Sequence, residues 1–226
     1  MNGEERRERG GMSMAEQAAL LLDRLQRRRP LVHCITNYVT ANDCANILLA
    51  IGASPIMADD PEETEEIAAA ASALVLNMGT PSRRKLEAMI RAGRRANEKG
   101  IPVILDPVGA GASRLRREMA ESLIREVRVD ILRGNVSEVS FAAGLASREK
   151  GVDVSEADRG IDRTEAALAA ARRLGCTVAV TGEKEESLKA QGRAYRKAIT
   201  TSASHAGYYP GGGMMTVKTL FDPETG

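Results

Sequence analysis

Ile104-Leu105-Asp106-Pro107-Val108-Gly109-Ala110-Gly111-Ala112-Ser113 is a short apolar run that ends in a carboxylate and then turns through proline, glycine and small residues. This pattern puts Asp106 at the carboxyl end of a buried strand, where open α/β sheets hold their ligands. A second apolar run, Val129 to Leu132, leads into Arg133-Gly134-Asn135-Val136-Ser137-Glu138 and brings a second acid just past a second strand. Two carboxylates at neighbouring strand ends suit a hard cation such as Mg²⁺ and the phosphates it carries, which points to phosphoryl transfer. Each acid also has a plainer reading. Asp-Pro after a strand is often a turn, and Glu138 can be an acid in a helix's first turn, favoured by the dipole.

Outward from this stretch, helical and short apolar segments alternate. Met14 to Gln26 reads as an amphipathic helix stopped by Pro30, Leu31 to Ile35 as a strand, and Ala41 to Ala50 as a helix closed at Gly52. Ser54 to Met57 is a strand, and Pro61-Glu62-Glu63 opens a helix that runs to Ala70. Ala73 to Leu76 is the next strand. Ser82 then caps a helix whose Leu86, Met89, Ile90 and Gly93 recur at helical spacing up to Gly100. Pro102 to Leu105 is a strand, Leu115 to Val127 a helix, and Thr164 to Leu174 a helix closed by Gly175. Thr177 to Val180 is a last clear strand and delivers Thr181-Gly182-Glu183 to its carboxyl end. Repeated strand–helix units of this length predict a mostly parallel sheet covered on both faces.

The 226 residues carry 28% charged side chains yet a net charge of only +1, so no field favours nucleic acid or an anionic membrane. Arg27-Arg28-Arg29 reads as the solvated end of a helix, where cations complement the dipole. Met1 to Gly11 mixes both charge signs, lacks a signal peptide's apolar core, and reads as a frayed terminus. No run approaches bilayer-spanning length, and a soluble cytoplasmic protein is expected. Cys34, Cys44 and Cys176 are odd in number and widely spaced, which argues against a disulfide framework or zinc site. His33 reads as a structural hydrogen-bonding residue and Met57, taken alone, as core filling. The sequence holds neither GxGxxG nor GxxxxGK[ST], so neither a dinucleotide fingerprint nor a P-loop is supported.

After Glu183 the composition changes. Residues up to Glu183 include two aromatics, Tyr38 and Phe141, whereas the shorter remainder has four: Tyr195, Tyr208, Tyr209 and Phe221. Its only Leu, Ile or Val residues are Leu188, Ile199, Val217 and Leu220, too few for another packed strand–helix unit.

Pro30-Leu-Val-His-Cys-Ile-Thr-Asn37, Gly52-Ala-Ser-Pro-Ile-Met57-Ala and Leu76-Asn-Met-Gly79-Thr occur in that order. Pro102 to Ala112, Arg133-Gly-Asn135-Val-Ser-Glu138, Lys150-Gly-Val-Asp153 and Val180-Thr-Gly-Glu183 follow. Over roughly residues 30–183 the series strongly resembles the hydroxyethylthiazole kinases, thiamine-salvage enzymes of the ribokinase-like three-layer α/β fold. The resemblance implies ATP-dependent phosphorylation of 4-methyl-5-(2-hydroxyethyl)thiazole with Mg²⁺. It implies thiazole contacts from Met57 and Asn37 and ATP contacts from Arg133 and Thr181, while Asp106 and Glu138 can hold the Mg²⁺ directly or through water. It further implies a homotrimer with the thiazole site between subunits, so that Asn37 acts across an interface. These roles suit the residue types: Arg133 offers a planar fork to phosphate oxygens, Asn135 can orient water or phosphate, and Met57 is polarisable.

The resemblance also implies a Gly-x-Gly-Cys turn after Thr-Gly-Glu, whose backbone N–H groups cradle the transferring phosphate and whose cysteine activates the hydroxyl. No such motif follows Glu183: Cys176 precedes a strand, Gly211-Gly212-Gly213-Met214 has no cysteine after it, and His205 is a poor substitute base. Residues 1–183 therefore read as a ribokinase-like domain that is incomplete, and 184–226 as a divergent tail, truncated or frame-shifted. An active kinase, an inactive homologue that keeps part of the thiazole pocket, and another small-molecule kinase of the same fold all stand as readings.

Overall fold

Six parallel strands form one sheet in the order β2-β1-β3-β4-β5-β6: β1 (Leu31–Ile35), β2 (Ser54–Ile56), β3 (Ala73–Asn77), β4 (Val103–Asp106), β5 (Ile131–Gly134) and β6 (Thr177–Val180). The computed structural model describes residues 14–145, 163–181, 196–203 and 214–221. The helices are α1 (Met14–Arg28), α2 (Ala41–Ala50), α3 (Thr64–Ala70), α4 (Arg83–Lys99), α5 (Arg114–Glu126), α6 (Val136–Ala142) and α7 (Arg163–Leu174). Alternation along the strands sorts the side chains into two layers. Leu74, Leu76, Val103, Leu105 and Leu132 are fully buried in the larger core, together with Met89 of α4, Leu123 of α5 and Val139 of α6. Val32, Cys34 and Val75 face the other way, against Leu25 of α1 and Leu48 of α2. Helices on both faces of a parallel sheet make the three-layer arrangement expected from the sequence.

Caps account for the helix boundaries. The Ser82 hydroxyl accepts from the Lys85 amide at 3.1 Å, and Ser113 does the same for Arg116 at 3.3 Å. Gly100 ends α4 in the left-handed region at φ 68°, where a Cβ is disfavoured. Pro61 precedes α3 in a turn instead of opening the helix, which starts at Thr64. The fifth strand starts later than the apolar run suggested. Asp130 bonds Val103 and Thr177 through its backbone as the chain enters the sheet, and pairing then continues through Arg133 and Gly134. Arg133 is therefore a strand residue. Gly93 of α4 lies against α5: a Cβ there would stand 2.5 Å from a Val127 methyl.

Arg27 and Arg28 form the exposed last turn of α1, with Arg27 2.9 Å from Asp23, and all three cysteines are free. Among the described residues no helix is long and apolar enough to cross a membrane. Beyond β6, Arg196–Ala203 (β7) and Met214–Phe221 (β8) pair as an antiparallel two-stranded sheet. This pair is not a strand–helix unit, and Ile199-Thr200-Thr201 and Thr216-Val217 are β-branched runs of the kind strands prefer. Met1 to Gly11, Lys150–Asp153, Gly182, Glu183, His205 and Gly211–Gly213 lie outside the described residues.

Candidate functional site

Because all six strands of the main sheet are parallel, their carboxyl ends share one edge. The strand order reverses between β1 and β3, and this switch point is where such sheets open a crevice. Asn37, two residues past β1, and Asn77, at the end of β3, meet there. Asn37 Nδ2 donates to Asn77 Oδ1 at 3.0 Å, and Asn77 Oδ1 also accepts from the Gly79 amide at 2.9 Å. Asn37 Oδ1 accepts from the backbone amide and the hydroxyl of Thr40, each at 3.0 Å. Met57 follows β2 and packs half-buried against the smaller core. Both residues that the resemblance assigns to the thiazole thus lie on the β1–β2 side of the edge.

The other candidates gather on the β4–β6 side. Asp106 is 6% exposed at the end of β4, and Arg133 Nη1 donates to its Oδ2 at 2.6 Å while half of the arginine side chain remains exposed. Thr181 follows β6, and its amide donates to the Gly134 carbonyl at 2.7 Å, one residue from Arg133.

Glu138 is held differently from Asp106. It is the third residue of α6 and forms a reciprocal capping box with Asn135: its amide donates to Asn135 Oδ1 at 2.9 Å, and its Oε2 accepts from the Asn135 amide at 2.8 Å. Its Oε1 accepts from the Gly109 amide at 2.9 Å, which ties α6 to the turn after Asp106. Burial pushes the Glu138 carboxyl above its ordinary range; the Gly109 and Asn135 amides pull it back, Asp106 raises it and Arg133 lowers it. The first-turn reading of Glu138 is thus part of its role, and the Asn-x-x-Glu spacing was the sequence signal for it.

Three further side chains shape this edge without having been singled out in the sequence. Arg116 Nη1 donates to the Val108 carbonyl at 2.6 Å and lies 3.4 Å from that of Met78, bracing the Asp106 turn against the turn after β3. Asn77 organises Asn37, and Lys85 is a buried lysine that bonds Thr36, next to Asn37, and Thr80. None has a motif; only their neighbours give them meaning. His33 is fully buried with Nε2 2.7 Å from the Ala58 carbonyl, the structural role expected of it, and burial lowers its pKa.

Magnesium keeps several waters and is commonly held by one or two carboxylates together with substrate phosphates. Among the described residues no three His, Cys, Asp or Glu side chains converge as an all-protein cage. Asp106 spends only one oxygen on Arg133, so it fits that open mode of binding. Glu138, with each oxygen already taking a backbone N–H, fits as a more remote contributor.

A six-stranded parallel sheet with helices on both faces, and with Asn, Asp, Arg and Thr along its carboxyl edge, defines a ribokinase-like α/β protein. The family model for the hydroxyethylthiazole kinase family matches residues 22–195, further on both sides than the quoted motifs reach. The chain belongs to that family. It is 55% identical over 168 residues to a hydroxyethylthiazole kinase of Ruminiclostridium cellulolyticum, a match covering 74% of this chain and 62% of that protein. A Methanocella arvoryzae hydroxyethylthiazole kinase is 51% identical over 162 residues, covering 72% and 60% respectively. The solved hydroxyethylthiazole kinase structure from Pyrococcus horikoshii OT3 superposes with a TM-score of 0.62 at 42% identity, over 71% of this chain and 59% of that one. The matches thus span about 60% of the relatives' length.

Proposed function

We infer that the chain is a hydroxyethylthiazole kinase acting in the cytoplasm, which transfers phosphate from ATP to the hydroxyl of 4-methyl-5-(2-hydroxyethyl)thiazole. The observation that carries this reading is the single edge on which β4, β5 and β6 bring Asp106, Arg133 and Thr181 together, beside the Asn37–Asn77 pair at the switch point. Phosphoryl transfer needs positioning and charge neutralisation more than covalent chemistry, and such an edge offers both.

In this reading Met57 and Asn37 contact the thiazole, with Asn37 facing a neighbouring subunit of a homotrimer. Arg133 and Thr181 bind ATP. Arg133 gives one N–H to Asp106 and keeps the rest of its guanidinium fork for phosphate oxygens. Asp106 and Glu138 hold Mg²⁺, whose chemistry is to neutralise charge that develops on the phosphate oxygens. Residues 1–183 make up the kinase domain and 184–226 a divergent segment. Neither nucleic acid nor membrane has a part in it.

The test is turnover of the thiazole alcohol with ATP and Mg²⁺. Product above a no-enzyme blank is expected, and Asp106→Asn should lower it by roughly two orders of magnitude or more, since a metal-neutralising charge is lost. Turnover equal to the blank would overturn the kinase reading. A second reading, an inactive homologue that binds the thiazole, is favoured by the lack of Gly-x-Gly-Cys after Glu183; binding without turnover would establish it.

A further inference from the structure

Lys85 is an unusual basic residue in this fold. It lies in the first turn of α4 at the carboxyl edge of the sheet and is 2% exposed. Its Nζ donates to the Thr36 carbonyl at 2.9 Å and to the Thr80 hydroxyl at 3.1 Å, and lies 4.3 Å from the centre of the Tyr38 ring. These partners are neutral, and Asp59 favours the charge only through space. A buried ammonium without a direct counter-ion opposes folding, so its presence calls for a gain elsewhere.

The partners show where that gain lies. Thr36 and Tyr38 flank Asn37 in the turn after β1, whereas Thr80 belongs to the turn after β3. One tetrahedral set of N–H donors therefore joins the two turns that border the switch-point crevice. Thr80 sits at φ 47°, a strained conformation for a β-branched residue, and it persists only where its surroundings hold it. Gly79 is pressed so tightly to Asn37 that a Cβ on it would lie 2.5 Å from the Asn37 Cβ. The Asn37 amide is in turn fixed by Asn77 and Thr40. Lys85 thus grips Thr36 and Tyr38 on either side of Asn37, while Asn77, Thr40 and Gly79 touch Asn37 itself.

We propose that Lys85 is a positioning residue: its ammonium locks the turn after β1 to the turn after β3, and so fixes the Asn37 side chain at the crevice where the thiazole alcohol binds. The identity of the ligand rests on the function proposed above; the lock itself does not. Arginine's planar fork cannot reproduce a tetrahedral grip on a carbonyl, a hydroxyl and a ring face, so Lys85→Arg should restore the lock only in part.

The experiment compares Lys85→Met, Lys85→Arg and Thr80→Ala with the wild-type full chain. Amide hydrogen exchange reads the lock without any ligand, and calorimetric titration with the thiazole alcohol reads its effect. Lys85→Met should speed exchange at the Thr40 and Gly79 amides, with amides of α5 unaffected, and should weaken thiazole binding by about tenfold, equivalent to about 1.4 kcal/mol. Thr80→Ala should move both readouts the same way by a smaller factor, and it stands in if Lys85→Met does not fold. Lys85→Arg should fall between wild type and Lys85→Met. Unchanged exchange at Thr40 and Gly79 in the folded variants would overturn the lock. Faster exchange with unchanged thiazole affinity would overturn the positioning role. A wild-type chain that does not bind the thiazole alcohol would overturn the proposed substrate instead, and the exchange data would still decide the lock.

Discussion

Replacing Glu138 with glutamine keeps the shape of the side chain and removes one of its two acceptors. In the native fold Oε1 accepts from the Gly109 amide at 2.9 Å and Oε2 from the Asn135 amide at 2.8 Å. Glutamine has one carbonyl oxygen, so its NH₂ must face one of those two N–H groups. A buried donor left without an acceptor costs about 1–3 kcal/mol, and the surviving bond loses its charge assistance. The neutral amide escapes the desolvation that raises the Glu138 pKa, which offsets part of the loss. The net expectation is a destabilisation of roughly 2 kcal/mol, or about 4–8 °C in midpoint for a domain of this size. Urea unfolding followed by circular dichroism would measure it, with the slope unchanged if the unfolded state is unaffected. A Glu138→Gln protein within about 0.5 kcal/mol of wild type would refute the reasoning, since surface substitutions fall in that range. That result would return Glu138 to a purely ligand-facing role.

Gly93→Ala should be destabilising even though alanine is the better helix former. The added Cβ meets Val127 at 2.5 Å, and overpacking of about 1–3 kcal/mol outweighs a propensity gain of about 1 kcal/mol. Adding Val127→Ala should recover much of the loss, and a double-mutant cycle showing strictly additive effects would contradict the contact. Ser82→Ala should lower stability by about 1 kcal/mol through loss of the bond to the Lys85 amide, read by thermal melting; no change would remove the cap. His33 should make the fold acid-sensitive. Above its unfolded value of 6.5 the ring is neutral in both states and adds no slope. As pH falls below 6.5 the unfolded chain takes up a proton that the buried ring resists, so stability drops by up to about 1.4 kcal/mol per pH unit. That drop ends at the depressed folded value. His33→Gln should flatten this part of the stability–pH curve, and equal slopes in both proteins would refute the assignment.

What could be read along the chain was whatever local chemistry settles. The 3.6 and 2 periodicities, Pro30, Ser82 and Gly100 marked the elements, and Leu31–Ile35, Ala41–Ala50 and Thr177–Val180 have the bounds the sequence suggests. Asp106 and Arg133 were legible because a polar residue after an apolar run lies at a strand's end, and parallel strands share that end. The start of β5 is not legible in hydropathy, because the hydrogen bonds of Asp130 govern entry into the sheet. The pairing of β7 with β8 is not legible along the chain, because a segment with only Leu188, Ile199, Val217 and Leu220 gives no apolar run to mark it.

A parallel α/β protein of the hydroxyethylthiazole kinase family, and the residue types along its carboxyl edge, follow from pattern and order along the chain. What each side chain is engaged in depends on the packing of distant segments. Asp106 is paired with Arg133, Glu138 is committed to two backbone amides, and Lys85 ties together turns that lie far apart in sequence. Such roles depend on distances between chain segments set by the crossover of strands, and no local pattern encodes them.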